Sequence, residues 1–164
     1  MNVLVDTDVV LDVLLYRAPF VEASKRLWVA VEKGAAQGFL AAHTLTTLHY
    51  LVRQSKGTRV ARDVVALLLQ VFEIAAVDEG VLNRAVQLDF ADFEDAVSAA
   101  AAEGAACELI ATRNTKDFKR SPVAAVDPLT AAAHVAAGPG SVSEPRAAYA
   151  RPRRRRRSAT SPPA

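Results

Sequence analysis

Asn2-Val3-Leu4-Val5-Asp6-Thr7-Asp8 is a short apolar run that ends in acid. As a buried strand it delivers its last residue to one defined edge of a sheet. In open α/β proteins that edge, outside the carboxyl ends of the strands, is where ligands bind. A second apolar run, Leu109-Ile110-Ala111-Thr112, leads into Arg113-Asn114-Thr115-Lys116-Asp117-Phe118. Just before it, Asp92-Phe93-Glu94-Asp95 opens a helix. Three acidic groups brought to one edge suit a hard divalent cation, which points to metal-dependent phosphodiester chemistry.

Working outward, strands are predicted near 2–6, 37–41, 73–77, 107–111 and 123–126. Helices are predicted at roughly 8–16, 20–34, 43–56, 59–71, 79–88, 92–104 and 128–136. Phe20, Ala23, Leu27, Ala30 and Val31 recur at helical spacing, as do Leu45, Leu48 and Val52, and Val64, Leu67 and Leu68. Gly34, Gly38, Gly57 and Gly104 fall at or just past expected helix ends, and three of them suit C-terminal caps. Alternation with crossover helices argues for a parallel sheet covered on both faces.

At 164 residues with half of them apolar, the chain has the material for one hydrophobic core. No apolar run approaches a membrane span and the N-terminus enters a strand, so a cytoplasmic protein with no membrane partner is expected. The single Cys107 has no internal disulfide partner and is expected to be buried and inert. Residues 1–137 form the expected domain, with 13 Lys/Arg against 17 Asp/Glu. An acidic body suits cation binding and lacks a sequence-independent grip on nucleic acid. Residues 138–164 are rich in Pro, Arg and Ser and carry seven Arg against one Glu. Such a composition cannot bury enough apolar surface to offset chain entropy, and disorder is expected there. Its Arg block either grips phosphates or merely keeps the tail solvated.

Each acid carries two readings. Asp6, ending a buried strand, is desolvated unless it pairs, caps a helix or binds metal. Asp8 is a natural N-cap for a helix starting at Val9, and Asp12 follows on the same helical face. Asp92 and Asp95 stand at i and i+3, close to a capping box. A cap does not need three acids in four residues, and clustering them costs repulsion unless a cation neutralises it. Asn114 with Asp117 is likewise either a cap pair or part of a site, and Thr112 offers a hydroxyl to orient an acid or bind phosphate. His43, His49 and His134 are too few and too dispersed for zinc.

Together, Asp6-Thr7-Asp8-Val9-Val10-Leu11-Asp12, Asp92-Phe93-Glu94-Asp95-Ala96 and Thr112-Arg113-Asn114-Thr115-Lys116-Asp117-Phe118 resemble the PIN domain, more narrowly the VapC-like toxins of bacterial type II toxin–antitoxin systems. The resemblance covers about residues 1–136. It implies a three-layer α/β/α sandwich around a mostly parallel five-stranded sheet. It implies a magnesium- or manganese-dependent ribonuclease in which Asp6 and Asp95 bind metal and the turn from Asn114 to Asp117 completes the site, with Asp92 beside it. It also implies an RNA substrate, a homodimer and a cognate protein antitoxin. Two departures stand out: Thr47 lies where many members carry a helix Glu, and Asn114 where many carry Asp. Arg113 and Lys116 flank the site and either contact substrate phosphates or simply stand solvated on the surface.

Two other readings compete. Asp6-x-Asp8 also opens the haloacid-dehalogenase phosphatase pattern, but Val10 stands where that pattern wants Thr. The missing helix Glu suits a degenerate PIN fold that binds RNA or a protein without cleaving.

Overall fold

The computed structural model describes residues 1–138, so the tail beyond Gly138 that the sequence marks as disordered lies outside the described residues. The chain runs β1 (Asn2–Val5), α1 (Thr7–Leu14), α2 (Val21–Glu32), β2 (Gln37–Ala41), α3 (Ala42–Lys56), α4 (Thr58–Val71), β3 (Glu73–Ala75), α5 (Glu79–Gln87), α6 (Phe93–Gly104), β4 (Leu109–Ala111), β5 (Ala124–Val126) and α7 (Pro128–Ala137). The five strands form one sheet in the order β3-β2-β1-β4-β5. Every pairing is parallel, including the edges, so the sheet is wholly rather than mostly parallel.

Alternation along β1 sets the layers, because successive strand side chains face opposite sides. Val3 and Val5 join Leu40, Leu109 and Ala111 in a core closed by Leu27 and Val31 of α2, Leu48 of α3, Leu68 of α4 and Val135 of α7. Leu4 and Ile110 point the other way, onto Ala85 of α5 and Ala96 to Ala102 of α6. This is a three-layer α/β/α sandwich. The run of buried alanines lets α6 lie close on the sheet, which brings its N-terminus to the edge where β1 ends. Gly38 of β2 is another close approach: a Cβ there would stand 2.6 Å from Val31 Cγ1 and 2.7 Å from Phe72 Cδ1.

Several expected boundaries move, for local reasons. β4 begins at Leu109 rather than 107 because the Cys107 N–H is taken by the Ala102 carbonyl at the end of α6, 2.9 Å away. β3 stops at Ala75, whose partner Ala41 ends β2. α1 begins at Thr7 with Asp6 as its N-cap, so Asp8 is a first-turn residue and not the cap the sequence suggests. Phe20 precedes α2 and is 45% exposed, and Ser24 takes a place in the buried stripe instead. Gly57 ends α3 at φ 90°, whereas Gly38 lies inside a strand and Gly104 inside α6. Cys107 is buried as expected, and burial pushes its thiol up to about 12. Among the described residues no helix is long and apolar enough to cross a membrane.

Candidate functional site

Strand order fixes where a site should form. From β1 the chain steps to β2 and β3 on one side, and β4 and β5 fill the other. The order therefore reverses between β1 and β4, and the crevice at their carboxyl ends is the switch point of the sheet. Asp6 and Thr112 are the residues that leave those two strands. The Asp6 N–H extends the ladder to the Ala111 carbonyl at 3.0 Å.

Asp6 is held on both oxygens. Its Oδ1 accepts the Thr7 N–H at 2.7 Å and its Oδ2 accepts the Thr112 hydroxyl at 2.7 Å. Thr112 is fully buried and its Oγ1 also accepts the Asn114 N–H at 3.0 Å, so it orients the acid, one of its two expected roles. Despite those bonds the Asp6 carboxyl is pushed up to about 7, by burial first, then by the charge of Asp8 and, less, that of Asp95. Asp95, in the first turn of α6, is pushed up to about 6 by burial and then by Asp92, Asp117, Glu94 and Asp8. The acids of all three sequence motifs thus act on one region, as the edge geometry predicts.

Their neighbours differ in part from expectation. Asp92 caps α6, its Oδ1 accepting the Glu94 N–H at 2.7 Å. Asn114 caps nothing, because residues 115–120 form turns and not a helix. Its side-chain amide donates to Asp117 Oδ2, and its carbonyl accepts the Asp117 N–H at 3.0 Å. Arg113 is not turned to solvent. Its Nε donates to Asp8 Oδ2 and its Nη1 to Asp12 Oδ1, each at 3.1 Å.

Glu94 is a neighbour with no individual role in the sequence reading. The Thr47 hydroxyl donates to Glu94 Oε1 at 3.3 Å, and His43 Nε2 stands 3.9 Å from the same oxygen. An acid from α6 therefore reaches the place on α3 where the helix Glu is missing. Spacing could not reveal this, since the contact joins residues 47 positions apart. Burial lowers the affinity of the His43 ring for a proton, against the smaller pull of Glu94. His134 is exposed on α7, and His49 lines a shallow apolar recess with Leu45 and Val65.

Among the described residues no three His, Cys, Asp or Glu side chains stand ready to hold a metal ion. The reason is visible in the bonds: Asp6 is held by Thr7 and Thr112, Asp92 by the helix start, and Asp117 by Asn114. In chemistry and charge the donors nonetheless fit a hard divalent cation. They are carboxylate oxygens, they repel one another, and Asp8 Oδ1 is buried with no hydrogen-bond partner.

Residues 2–116 match the family model described as PIN domain. No curated protein matches the chain. Among solved structures it is similar to VapBC2 from Rickettsia felis bound to a promoter DNA fragment, with TM-score 0.62 and 17% identity over 77% of this chain and 98% of that one. It is similar to FitAcB from Neisseria gonorrhoeae, with TM-score 0.60 and 24% identity over 77% and 97%. It is also similar to the sarcin–ricin loop cleaving toxin VapC20 from Mycobacterium tuberculosis, with TM-score 0.57 and 19% identity over 73% and 92%.

Proposed function

The chain belongs to the PIN-domain family, and on that premise we propose that it is a metal-dependent endoribonuclease and the toxin of a toxin–antitoxin pair. The observation that carries the reading is the pair Asp6 and Asp95. Two carboxyls at the switch point are raised, Asp6 to about 7 by burial, Asp8 and Asp95, and Asp95 to about 6 by burial and four nearby acids. Folding does not favour such an arrangement, and a bound cation would relieve it.

Asp6 and Asp95 would hold Mg²⁺ or Mn²⁺, flanked by Asp92 and Asp117. Such an ion supplies charge neutralisation at the scissile phosphate and a more acidic water at neutral pH. The chain supplies the geometry. Thr112 and the Thr7 N–H fix the Asp6 carboxylate, Asn114 holds Asp117, and α6 carries Asp95 to the same crevice. Water oxygen bonds to phosphorus as the P–O3′ bond breaks, leaving a 5′-phosphate, and a proton goes to the departing 3′ oxygen. Single-stranded or looped RNA suits the open edge, because its bases are accessible. A cognate protein antitoxin belongs to the same proposal, supported by the fold shared with the VapBC and FitAcB structures, and a homodimer is proposed with it.

One observation favours a second reading, a PIN fold that binds RNA or a protein without cleaving. α3 offers Thr47 and no acid to the site. The two readings part on cleavage of end-labelled structured RNAs with Mg²⁺, Mn²⁺ or EDTA. Cutting that requires the ion and leaves 5′-phosphates supports the nuclease. Ion binding with no cutting of any RNA supports the binding module.

A further inference from the structure

Four side chains from three segments are joined end to end by hydrogen bonds. Asp12 is fully buried on α1, and its Oδ2 accepts the Ser24 hydroxyl of α2 at 3.0 Å. Its Oδ1 accepts Arg113 Nη1 at 3.1 Å, and the same guanidinium gives Nε to Asp8 Oδ2 at 3.1 Å. The Phe20 ring stacks under it, 4.2 Å from centroid to guanidinium carbon. The series ends on Asp8 Oδ1, an oxygen shut off from solvent and bonded to nothing in the protein.

Ion pairs drawn this far from solvent, with Asp12 fully buried and Arg113 and Asp8 about a quarter exposed, are a poor device for stability alone. They are a good device for orientation. A planar guanidinium forked onto two acids and stacked on a ring has one pose, which a lysine cannot reproduce. The free oxygen is the one left when Arg113 has taken the other.

We propose that Arg113 is a positioning residue: anchored by Asp12 and Phe20, it pins Asp8 through Oδ2 and turns Asp8 Oδ1 toward Asp6 and Asp95, adding an oxygen to the cation-binding set. This inference rests on the metal-dependent reading above. It also withdraws Arg113 from the groups free to grip substrate phosphate.

The test is calorimetric Mn²⁺ titration beside RNA cleavage kinetics, on the full chain and on Arg113→Lys, Asp8→Asn and the double variant. Arg113→Lys keeps the charge and loses the fork. The expected result is Mn²⁺ binding weakened about 10- to 100-fold, the usual effect of removing a partner of a metal ligand. The rate constant falls with it and KM for RNA holds. Asp8→Asn does the same, and the double variant is no worse than Asp8→Asn, because both changes remove one interaction. A raised KM with unchanged Mn²⁺ affinity would make Arg113 a phosphate contact and overturn the proposal. A lowered melting temperature with unchanged affinity would reduce the network to structure. Should Arg113→Lys fail to fold, Asp8→Asn decides alone, and unchanged affinity there refutes the inference. Wild-type protein that binds Mn²⁺ but cuts no RNA defeats the nuclease reading while the affinities still decide this one; wild-type protein that binds no divalent ion defeats both.

Discussion

The N-termini of α6 and α7 begin with the same local chemistry and end in opposite electrostatics. At α7, Asp127 Oδ1 accepts the Leu129 and Thr130 N–H groups at 3.0 Å each, and its Oδ2 accepts the Thr130 hydroxyl at 2.6 Å. The hydroxyl bond, first among these, holds the Asp127 carboxyl below the ordinary carboxylate range. At α6, Asp92 caps in the same manner, yet Asp95 one turn on is pushed up to about 6. The first helix start holds one acid with its bonds made. The second holds Asp92, Glu94 and Asp95, and one acid satisfies the cap. A capping signal therefore does not compete with a functional reading. What separates the two is acid beyond the need of the cap, crowded so that burial and neighbouring charge raise Asp95.

The largest break between the two termini is expected in activity. Asp95→Asn keeps the shape of the side chain and leaves the Asp92 cap in place. It should cut RNA cleavage by more than the roughly 10- to 100-fold typical of losing a mere partner of a ligand. Asp6→Asn should match it, while Asp127→Ala should leave the specific activity of the folded protein unchanged. Initial rates in Mg²⁺, normalised to folded fraction, check all three. Equal losses at Asp95 and Asp127 would erase the distinction.

Stability against pH comes next. Asp6 and Asp95 titrate higher in the folded chain than the ordinary value of 3.8. Between about pH 4 and 7 the ion-free native state therefore binds more protons than the unfolded chain, and stability falls as pH rises through that window. For Asp6 alone the penalty is on the order of a few kcal/mol at neutral pH. The exposed part of Asp95 is screened by water and adds less. Urea unfolding in EDTA at pH 5 and pH 7.5 should show the fall, and Asp6→Asn should flatten it. Added Mn²⁺ should restore stability at the higher pH by binding only the native state. A metal-free protein that gains stability from pH 5 to 7.5 would contradict the raised carboxyls.

Much of this was legible in the chain. β1 and β4 read as strands because Val3, Leu4, Val5 and Leu109, Ile110, Ala111 are apolar on both faces, as a sheet buried on both sides demands. Asp6 followed from β1 ending where acid begins. The roles of Asp8 and Arg113 were not legible, because Arg113 meets Asp8 and Asp12 across more than 100 residues. Glu94 was hidden for the same reason. The helix start at Thr7 misled the reading of Asp8 because Asp6 and Asp8 are equally good caps by composition.

A smaller effect is expected at α7. Asp127→Ala removes bonds to two backbone N–H groups and should cost about 1 kcal/mol of stability. The sign of its pH dependence is opposite to that of Asp6. With the folded carboxyl held low, the contribution is present above the ordinary value of 3.8 and is lost as pH falls through the folded one. Denaturant midpoints at pH 6 and pH 3 should show the variant and parent converging at the acid end.

The smallest effect is expected at Asp92, where the two kinds of helix start meet in one residue. Asn caps about as well as Asp, so Asp92→Asn should preserve the bond to the Glu94 N–H. Losing the charge has two opposed consequences in the ion-free protein. The positive end of the α6 dipole forfeits a favourable anion, worth about 0.3–1 kcal/mol, while repulsion at Asp95 is relieved. The two nearly cancel, and the melting temperature should barely move. Mn²⁺ affinity then reads the role of Asp92 without interference from folding. With one oxygen committed to the cap, its contribution to the ion should be mainly charge, and the loss should stay below about ten-fold, or roughly 1.4 kcal/mol. A larger loss would mean that its second oxygen reaches the ion, and that this terminus serves helix and cation through one carboxylate.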